Sequence, residues 1–132
     1  MFPWLFITGI SGAVAVLAGA YGWHWIEYSD AAMKDIFNVG VQYHMWHTLV
    51  LPAVAWLSTR SDVPRLAVRV AGWGFAIGMV LFSGTLYYMG LTGDVLVKGA
   101  APVGGFFLIA GWLALSWAGI AACRAAKCAT SE

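Results

Sequence analysis

The sequence predicts an all-α integral membrane protein, a bundle of four transmembrane helices, and two observations predict it: composition and the placement of charge. Of the 132 residues, 61% are hydrophobic and only 10% are charged, whereas soluble globular chains carry about 25% charged residues. The seven basic and six acidic side chains all fall in four short windows. The stretches between these windows contain no Asp, Glu, Lys or Arg, and they cover residues 1–26, 36–59, 70–93 and 99–123.

Each uncharged stretch is long enough to cross a bilayer, because a helix rises 1.5 Å per residue and needs about 20 residues to span the hydrocarbon. A charge at mid-depth costs about 2.5–3.5 kcal/mol, which explains why the charges gather between the stretches. We therefore predict a single membrane domain over residues 1–132, with helices at about 3–26, 36–58, 67–91 and 102–123. A short outer amphipathic segment at about 29–37, capped by Ser29 or Asp30, leads into the second helix.

The first stretch has an alternative interpretation as a cleaved signal peptide, since Ala18-Gly19-Ala20 has the small-x-small pattern of a cleavage site. No Lys or Arg precedes it, however, and the apolar run is longer than the core of a signal peptide. We interpret it as a retained helix.

The basic residues indicate the orientation. With four spans, both termini and the middle loop share one side, and that side holds five of the seven basic residues. An excess of Lys and Arg in short loops marks the cytoplasmic side, so we expect both termini in the cytoplasm of a bacterial inner membrane, in preference to a mitochondrial one. The five residues are Arg60, Arg65, Arg69, Arg124 and Lys127.

Charge and cysteine usage exclude several classes of protein. The net charge of +1 gives no sign of a nucleic-acid partner. Cys123 and Cys128 are the only cysteines, so there is neither a zinc-binding pattern nor a disulfide framework. We expect two reduced thiols on the cytoplasmic side.

Small residues and one proline predict local features of the helices. Gly74 and Gly78 form a GxxxG motif, and small residues recur every fourth position from Ser11 to Gly19. Such spacing lets backbones approach closely, and we expect packing within this chain rather than a dimer face. Pro52 lies inside the second helix, where it leaves the Thr48 carbonyl without its partner and predicts a kink.

A cluster of polar side chains is expected beneath the outer surface. Ionisable residues at membrane depth usually face the interior of a bundle, and Glu27 stands three residues after His24, on one helical face. We expect His24, His47 and Tyr87 to lie close together, joined by hydrogen bonds that lock the helices. Zinc or copper, haem at His24 and His47, and proton transfer are the alternatives. The full set is His24, Glu27, Tyr43, His44, His47, Ser83 and Tyr87.

Four motifs resemble those of the small membrane proteins catalogued as domain of unknown function 423. They are Gly19-Ala-Tyr-Gly-Trp-His24, Val41-Gln-Tyr-His-Met-Trp-His47, Phe82-Ser-Gly-Thr-Leu-Tyr87 and Pro102-Val-Gly-Gly105, the last followed by Gly111-Trp112. The resemblance covers nearly the whole chain and implies four transmembrane helices, but no activity. His44 stands where glutamine is usual, and Trp23 replaces a small residue. Motif membership extends to the glycines Gly19, Gly22, Gly84, Gly104 and Gly105, which we expect at helix contacts.

The expected function is a structural or accessory subunit that contacts lipid and packs against other membrane proteins or further copies of itself. The sequence contains no nucleophile–base pair and no phosphate-binding loop, so we expect no enzyme. Binding or transport of a small ligand, a metal or haem at the polar cluster is the alternative. Proton-coupled transport is disfavoured, because no predicted span contains an acidic residue.

Cysteine-accessibility labelling tests the predicted orientation. After Cys123 and Cys128 are replaced by serine, single cysteines at Ser61 and Thr92 should react from opposite sides of the membrane, Ser61 from the cytoplasm. Labelling of Thr92 from the cytoplasm would overturn the orientation.

Overall fold

The computed structural model describes residues 2–28 and 30–129, with the backbone alone for residues 2, 128 and 129. It contains four helices, α1 (Phe2–His24), α2 (Ala31–Leu57), α3 (Arg65–Thr92) and α4 (Ala100–Ala129), which confirm the all-α prediction. Three of them are long and apolar enough to cross a membrane, over Pro3–His24, Arg65–Thr92 and Ala100–Lys127. α2 has a comparable length of 27 residues but a more polar sequence.

α2 begins earlier along the chain than the charge pattern predicts. The Asp30 carboxylate accepts hydrogen bonds from the backbone N–H groups of Ala32 and Met33, at 2.5 and 3.1 Å, and so caps the helix. Residues 31–37 are the first turns of α2, so the segment capped at Asp30 continues directly into the second helix. Ser29, the other expected cap, lies outside the described residues.

α2 and α3 occupy the centre of the molecule. α3 packs along both α2 and α4, α1 packs along α2, and α2 makes only a small contact with α4. The largest fully buried apolar side chains, Leu51, Val54 and Phe75, belong to the two central helices. α1 reaches α3 through Trp4, whose ring is buried against Gly72. Helices that are neighbours in sequence are thus neighbours in space.

Glycine allows the backbones of α3 and α4 to touch. A Cβ atom at Gly74 would lie 2.9 Å from the Phe107 carbonyl oxygen, and one at Gly104 would lie 2.5 Å from the Phe82 nitrogen. A Cβ at Gly78 would come within 2.6 Å of the Leu108 side chain. These distances leave no room for even a methyl group, so this interface depends on small residues.

The other glycines expected at helix contacts have different surroundings. A Cβ at Gly22 would lie 2.6 Å from the Phe37 ring, and one at Gly19 would be 3.4 Å from Val41, so both lie at the α1–α2 contact. A Cβ at Gly105 would lie 4.0 Å from the Phe82 ring, an ordinary van der Waals contact, whereas one at Gly84 would meet nothing within 4 Å. Gly105 therefore lies at a helix contact, but the expectation of a helix contact is wrong for Gly84, which lines an open groove.

Pro52 lies on the exposed outer surface of α2. The helix continues through it to Leu57. The kink at this proline stays a prediction.

Paired alanine substitutions test the close approach of α3 and α4. Gly74→Ala and Gly84→Ala gain the same intrinsic helix propensity, but only the methyl group at residue 74 meets backbone atoms. We expect Gly74→Ala to lose about 1–3 kcal/mol of unfolding free energy relative to Gly84→Ala, as overpacking does. Reversible unfolding in detergent measures the difference. Equal stabilities would show that α3 and α4 have room between them at Gly74.

Candidate functional site

The polar side chains of α2 point to two different sides of the bundle. His44 contacts α1 and α3, whereas His47, three residues later, contacts α3 and α4. His44 has thirteen residues before it and thirteen after it in the 27-residue helix, so both histidines lie near mid-length. The position of the polar cluster beneath the outer surface of a membrane stays a prediction.

His47 is buried, with 5% of its surface exposed, and both its ring nitrogens have partners. Its Nδ1 lies 2.7 Å from the Tyr43 carbonyl oxygen, and its Nε2 lies 3.2 Å from Trp112 Nε1. A carbonyl only accepts and an indole N–H only donates. His47 is therefore neutral, with its proton on Nδ1, and Nε2 accepts from Trp112.

His44 belongs to a separate chain of hydrogen bonds between α1, α2 and α3. Its Nδ1 lies 3.0 Å from the Tyr87 hydroxyl, and its Nε2 lies 2.9 Å from the Ser11 hydroxyl. Ser11 is also 2.6 Å from the Thr48 hydroxyl, which donates to the Met79 sulfur at 3.5 Å. We call Ser11, His44, Thr48 and Tyr87 the hydroxyl chain. It ties three helices together, near the mid-length of α1 and α2 and five residues before the end of α3.

His24 and Glu27 do not join the other polar residues. α1 ends at His24, and after the bond from the Trp25 nitrogen to the Tyr21 carbonyl the chain leaves the helix. His24 and Glu27 are therefore not on one helical face, and both are exposed. His24 packs edge-on against the ring of Trp25 at 5.6 Å. The expected grouping of His24, His47 and Tyr87 is wrong, and Tyr87 pairs with His44.

Two buried hydroxyl groups have no hydrogen-bond partner within the described part of the chain. Ser83 lies on α3, one helical turn from both Met79 and Tyr87, and is 1% exposed. Tyr28, in the connection between α1 and α2, packs its ring against Phe37 at 6.1 Å. Burial raises the pKa of Tyr28.

A row of aromatic rings covers the side where α2 meets α4. Successive ring centroids are 5.2 Å apart from Trp46 to Tyr43, 5.8 Å from Tyr43 to His47 and 6.1 Å from His47 to Trp112. We call these four residues the aromatic seam. Its two ends, Trp46 and Trp112, are 54% and 45% exposed. The seam thus combines a buried, hydrogen-bonded centre with two accessible tryptophans.

The geometry does not assemble the ligand set considered for a metal or haem. Within residues 2–28 and 30–127, no three side chains of His, Cys, Asp or Glu converge. His47 has no free nitrogen, and His24 lies at the far end of α1. Cys123 is free and exposed, while the Cys128 side chain lies outside the described residues. The arrangement offers hydrogen bonding and apolar contact.

The predicted polar set leaves out four residues of the hydroxyl chain and the aromatic seam, namely Ser11, Thr48, Trp46 and Trp112. Ser11 had been noted only as a small packing residue, and Trp112 only as a motif member, although each bonds a histidine of α2. The available signal was the depth of Ser11, a hydroxyl side chain near the middle of an apolar helix that has to find a partner there.

Comparison with known proteins reveals relatives across most of the chain. The model of the family described as "Protein of unknown function (DUF423)" matches residues 18–105. The UPF0382 membrane protein YwdK of Bacillus subtilis is 35% identical over 86% of this chain and 92% of its own length. A UPF0382 membrane protein of Haemophilus influenzae is 30% identical over 86% of this chain and 90% of its own. No solved structure matches significantly. The matches confirm the resemblance seen in the motifs.

Phenylalanine substitutions test the bond between Trp112 and His47. Trp112→Phe removes the indole donor and leaves His47 Nε2 without a partner, whereas Trp117→Phe removes an indole of similar exposure, 46%, that bonds neither histidine. We expect Trp112→Phe to be less stable than Trp117→Phe by about 0.6 kcal/mol, the average for a hydrogen bond inside a membrane. Reversible unfolding in detergent measures both. Equal losses would show that the bond contributes nothing.

Proposed function

The chain belongs to the DUF423 family of small membrane proteins, and we propose that it is a structural or accessory subunit that packs against a different membrane protein through the aromatic seam. The segments that connect its helices cover only residues 25–30, 58–64 and 93–99. Nearly all of its surface is therefore the side of a helix. A partner would have to be recognised mainly through those helical faces.

The exposed tryptophans of the seam carry this proposal. In a membrane, tryptophan favours the headgroup level, where its ring meets hydrocarbon and its N–H meets water. Trp46 and Trp112 instead lie near the middle of α2 and α4. Tryptophan and tyrosine are also enriched among the residues that dominate the binding energy of protein interfaces. The seam fits a partner helix better than it fits lipid.

The proposal includes four transmembrane helices with both termini in the cytoplasm of a bacterial inner membrane. α2 is the more polar helix, but His44, His47 and Thr48 face α1, α3 and α4. Its charged side chains are confined to its first turns, and its exposed side near mid-length carries the polar Gln42 and the apolar Leu49. A helix whose polar groups bond within the protein is tolerated in hydrocarbon. The positions of the basic residues support the orientation, and the relatives named as membrane proteins come from bacteria.

We assign neither an enzymatic reaction nor a metal or haem cofactor to this role. Both nitrogens of His47 are engaged in hydrogen bonds, and His44 bonds two hydroxyl groups. A metal or haem could bind these histidines only if the hydrogen bonds were broken. A subunit that packs against a partner leaves them intact.

Site-specific photocrosslinking in native membranes tests the proposed role. A benzoylphenylalanine at Trp46 should capture a protein of defined mass, because the seam is the proposed interface. The matched control is Leu17 on α1, which is 68% exposed and lies outside the seam; it should give no such product.

Two results would contradict the proposal. Capture of lipid alone from position 46 would show that the seam faces the bilayer. A product of twice the mass of the 14.2 kDa chain would show that the seam joins two copies of this chain rather than a different protein.

A further inference from the structure

A groove lies open between α1 and α3, with α2 as its floor. Its volume is about 460 Å³, within the range of about 300–1,000 Å³ typical of small-molecule sites. α1 and α3 are bridged by the side chains at its floor and by Trp4 at one end, which leaves the wall between them open. A Cβ at Gly84 would meet nothing within 4 Å. The apolar lining includes Phe6, Ile10, Val14, Ala76 and Val80.

The polar part of the groove lining lies at its base, where α1 and α3 meet α2. Ser11, His44 and Tyr87 all belong to it, and they are three of the four members of the hydroxyl chain. Ser11 and His44 lie near the middle of their helices. In the four-span arrangement the groove therefore opens sideways to the bilayer interior, which only a membrane-soluble molecule can reach.

The hydroxyl chain has two consistent hydrogen-bond directions. In the first, Tyr87 donates to His44 Nδ1, His44 Nε2–H donates to Ser11, Ser11 donates to Thr48, and Thr48 donates to the Met79 sulfur. Every proton of the chain then has an acceptor. The tautomer of His44 is the one with its proton on Nε2.

In the second direction the bonds among Tyr87, His44, Ser11 and Thr48 are reversed, and the bond from Thr48 to the Met79 sulfur is lost, because a thioether cannot donate. Thr48 donates to Ser11, Ser11 donates to His44 Nε2, and His44 Nδ1–H donates to Tyr87. The number of protons is the same: His44 carries its proton on Nδ1 in place of Nε2, and the hydroxyl groups rotate. The Tyr87 hydroxyl is now a donor without an acceptor among the described residues. Such an unpaired donor is unfavourable in an apolar surrounding.

We propose that the groove binds an uncharged, apolar molecule carrying a carbonyl oxygen, which accepts a hydrogen bond from Tyr87 and shifts His44 from the Nε2–H to the Nδ1–H tautomer. The carbonyl supplies the acceptor that the second direction lacks. A plain hydrocarbon chain fills the groove without using this donor. A phospholipid ester does not reach it, because ester groups lie at the edge of a hydrocarbon layer about 30 Å thick. The site lies on the α1–α3 side, so it is independent of the seam and of the proposed accessory role.

Nitrogen-15 NMR of His44 in lipid nanodiscs tests this proposal, with diheptyl ketone and pentadecane as matched probes. Without a probe, His44 should show the Nε2–H tautomer. The ketone should convert it to the Nδ1–H tautomer, while His47 keeps its Nδ1–H form as an internal reference. Pentadecane has the same chain length but no acceptor, and should leave the His44 tautomer unchanged.

Two variants distinguish the contribution of the Tyr87 hydrogen bond from that of the open volume of the groove. Tyr87→Phe keeps the ring but removes the donor, so it should abolish the tautomer shift and weaken ketone binding roughly threefold, as one hydrogen bond in a membrane does. Val80→Trp starts from a side chain that is 73% exposed and should fill the groove, blocking both probes. An unchanged His44 tautomer in saturating ketone, or an equal shift with pentadecane, would overturn the proposal.

Discussion

The structure depends on one constraint, which is that the two histidines and Thr48 of α2 must find partners inside the protein. α2 carries two histidines and Thr48 near the middle of a helix whose neighbours are long and apolar. In hydrocarbon no water replaces a missing partner, so each unpaired group costs free energy. Ser11, Tyr87 and Trp112 provide the partners from the three surrounding helices.

This constraint explains how the other helices are placed. α1 has to bring the Ser11 hydroxyl to His44 and Thr48, and α4 has to bring the Trp112 indole to His47. Gly74 and Gly104 allow α4 to approach α3 closely enough for the Trp112 indole to reach across to α2. The same arrangement leaves a groove above the hydroxyl chain and two exposed tryptophans beside His47. The fold thus produces two distinct surfaces from the two sides of one polar helix.

The helices could be predicted from the sequence because charge is expensive in a bilayer, but the pairing of polar groups could not. The charge windows indicated four helices, yet Lys34 and Asp35 fall inside α2, whose start depends on the Asp30 cap rather than on charge. His44 and His47 therefore lie near the middle of α2, further from its first residue than a start near residue 36 implied. The two histidines are three residues apart but bond to different helices. Which helix each one meets depends on the rotation and packing of α2, and the sequence pattern does not specify these. Similarly, Gly74 and Gly84 are both glycines of α3, but only at Gly74 would a Cβ atom meet the backbone of a neighbouring helix.

The central claim is that α2 lies within the bilayer with His44, His47 and Thr48 turned inward, and the depth of a nitroxide spin label at Leu49 tests it most directly. Leu49 is 66% exposed, points away from the polar partners of α2 and follows Thr48 along the helix. In lipid vesicles the label should collide frequently with oxygen, which concentrates in the bilayer interior, and rarely with a water-soluble nickel chelate. The opposite ratio, with the chelate dominant, would place α2 at the membrane surface and contradict the account.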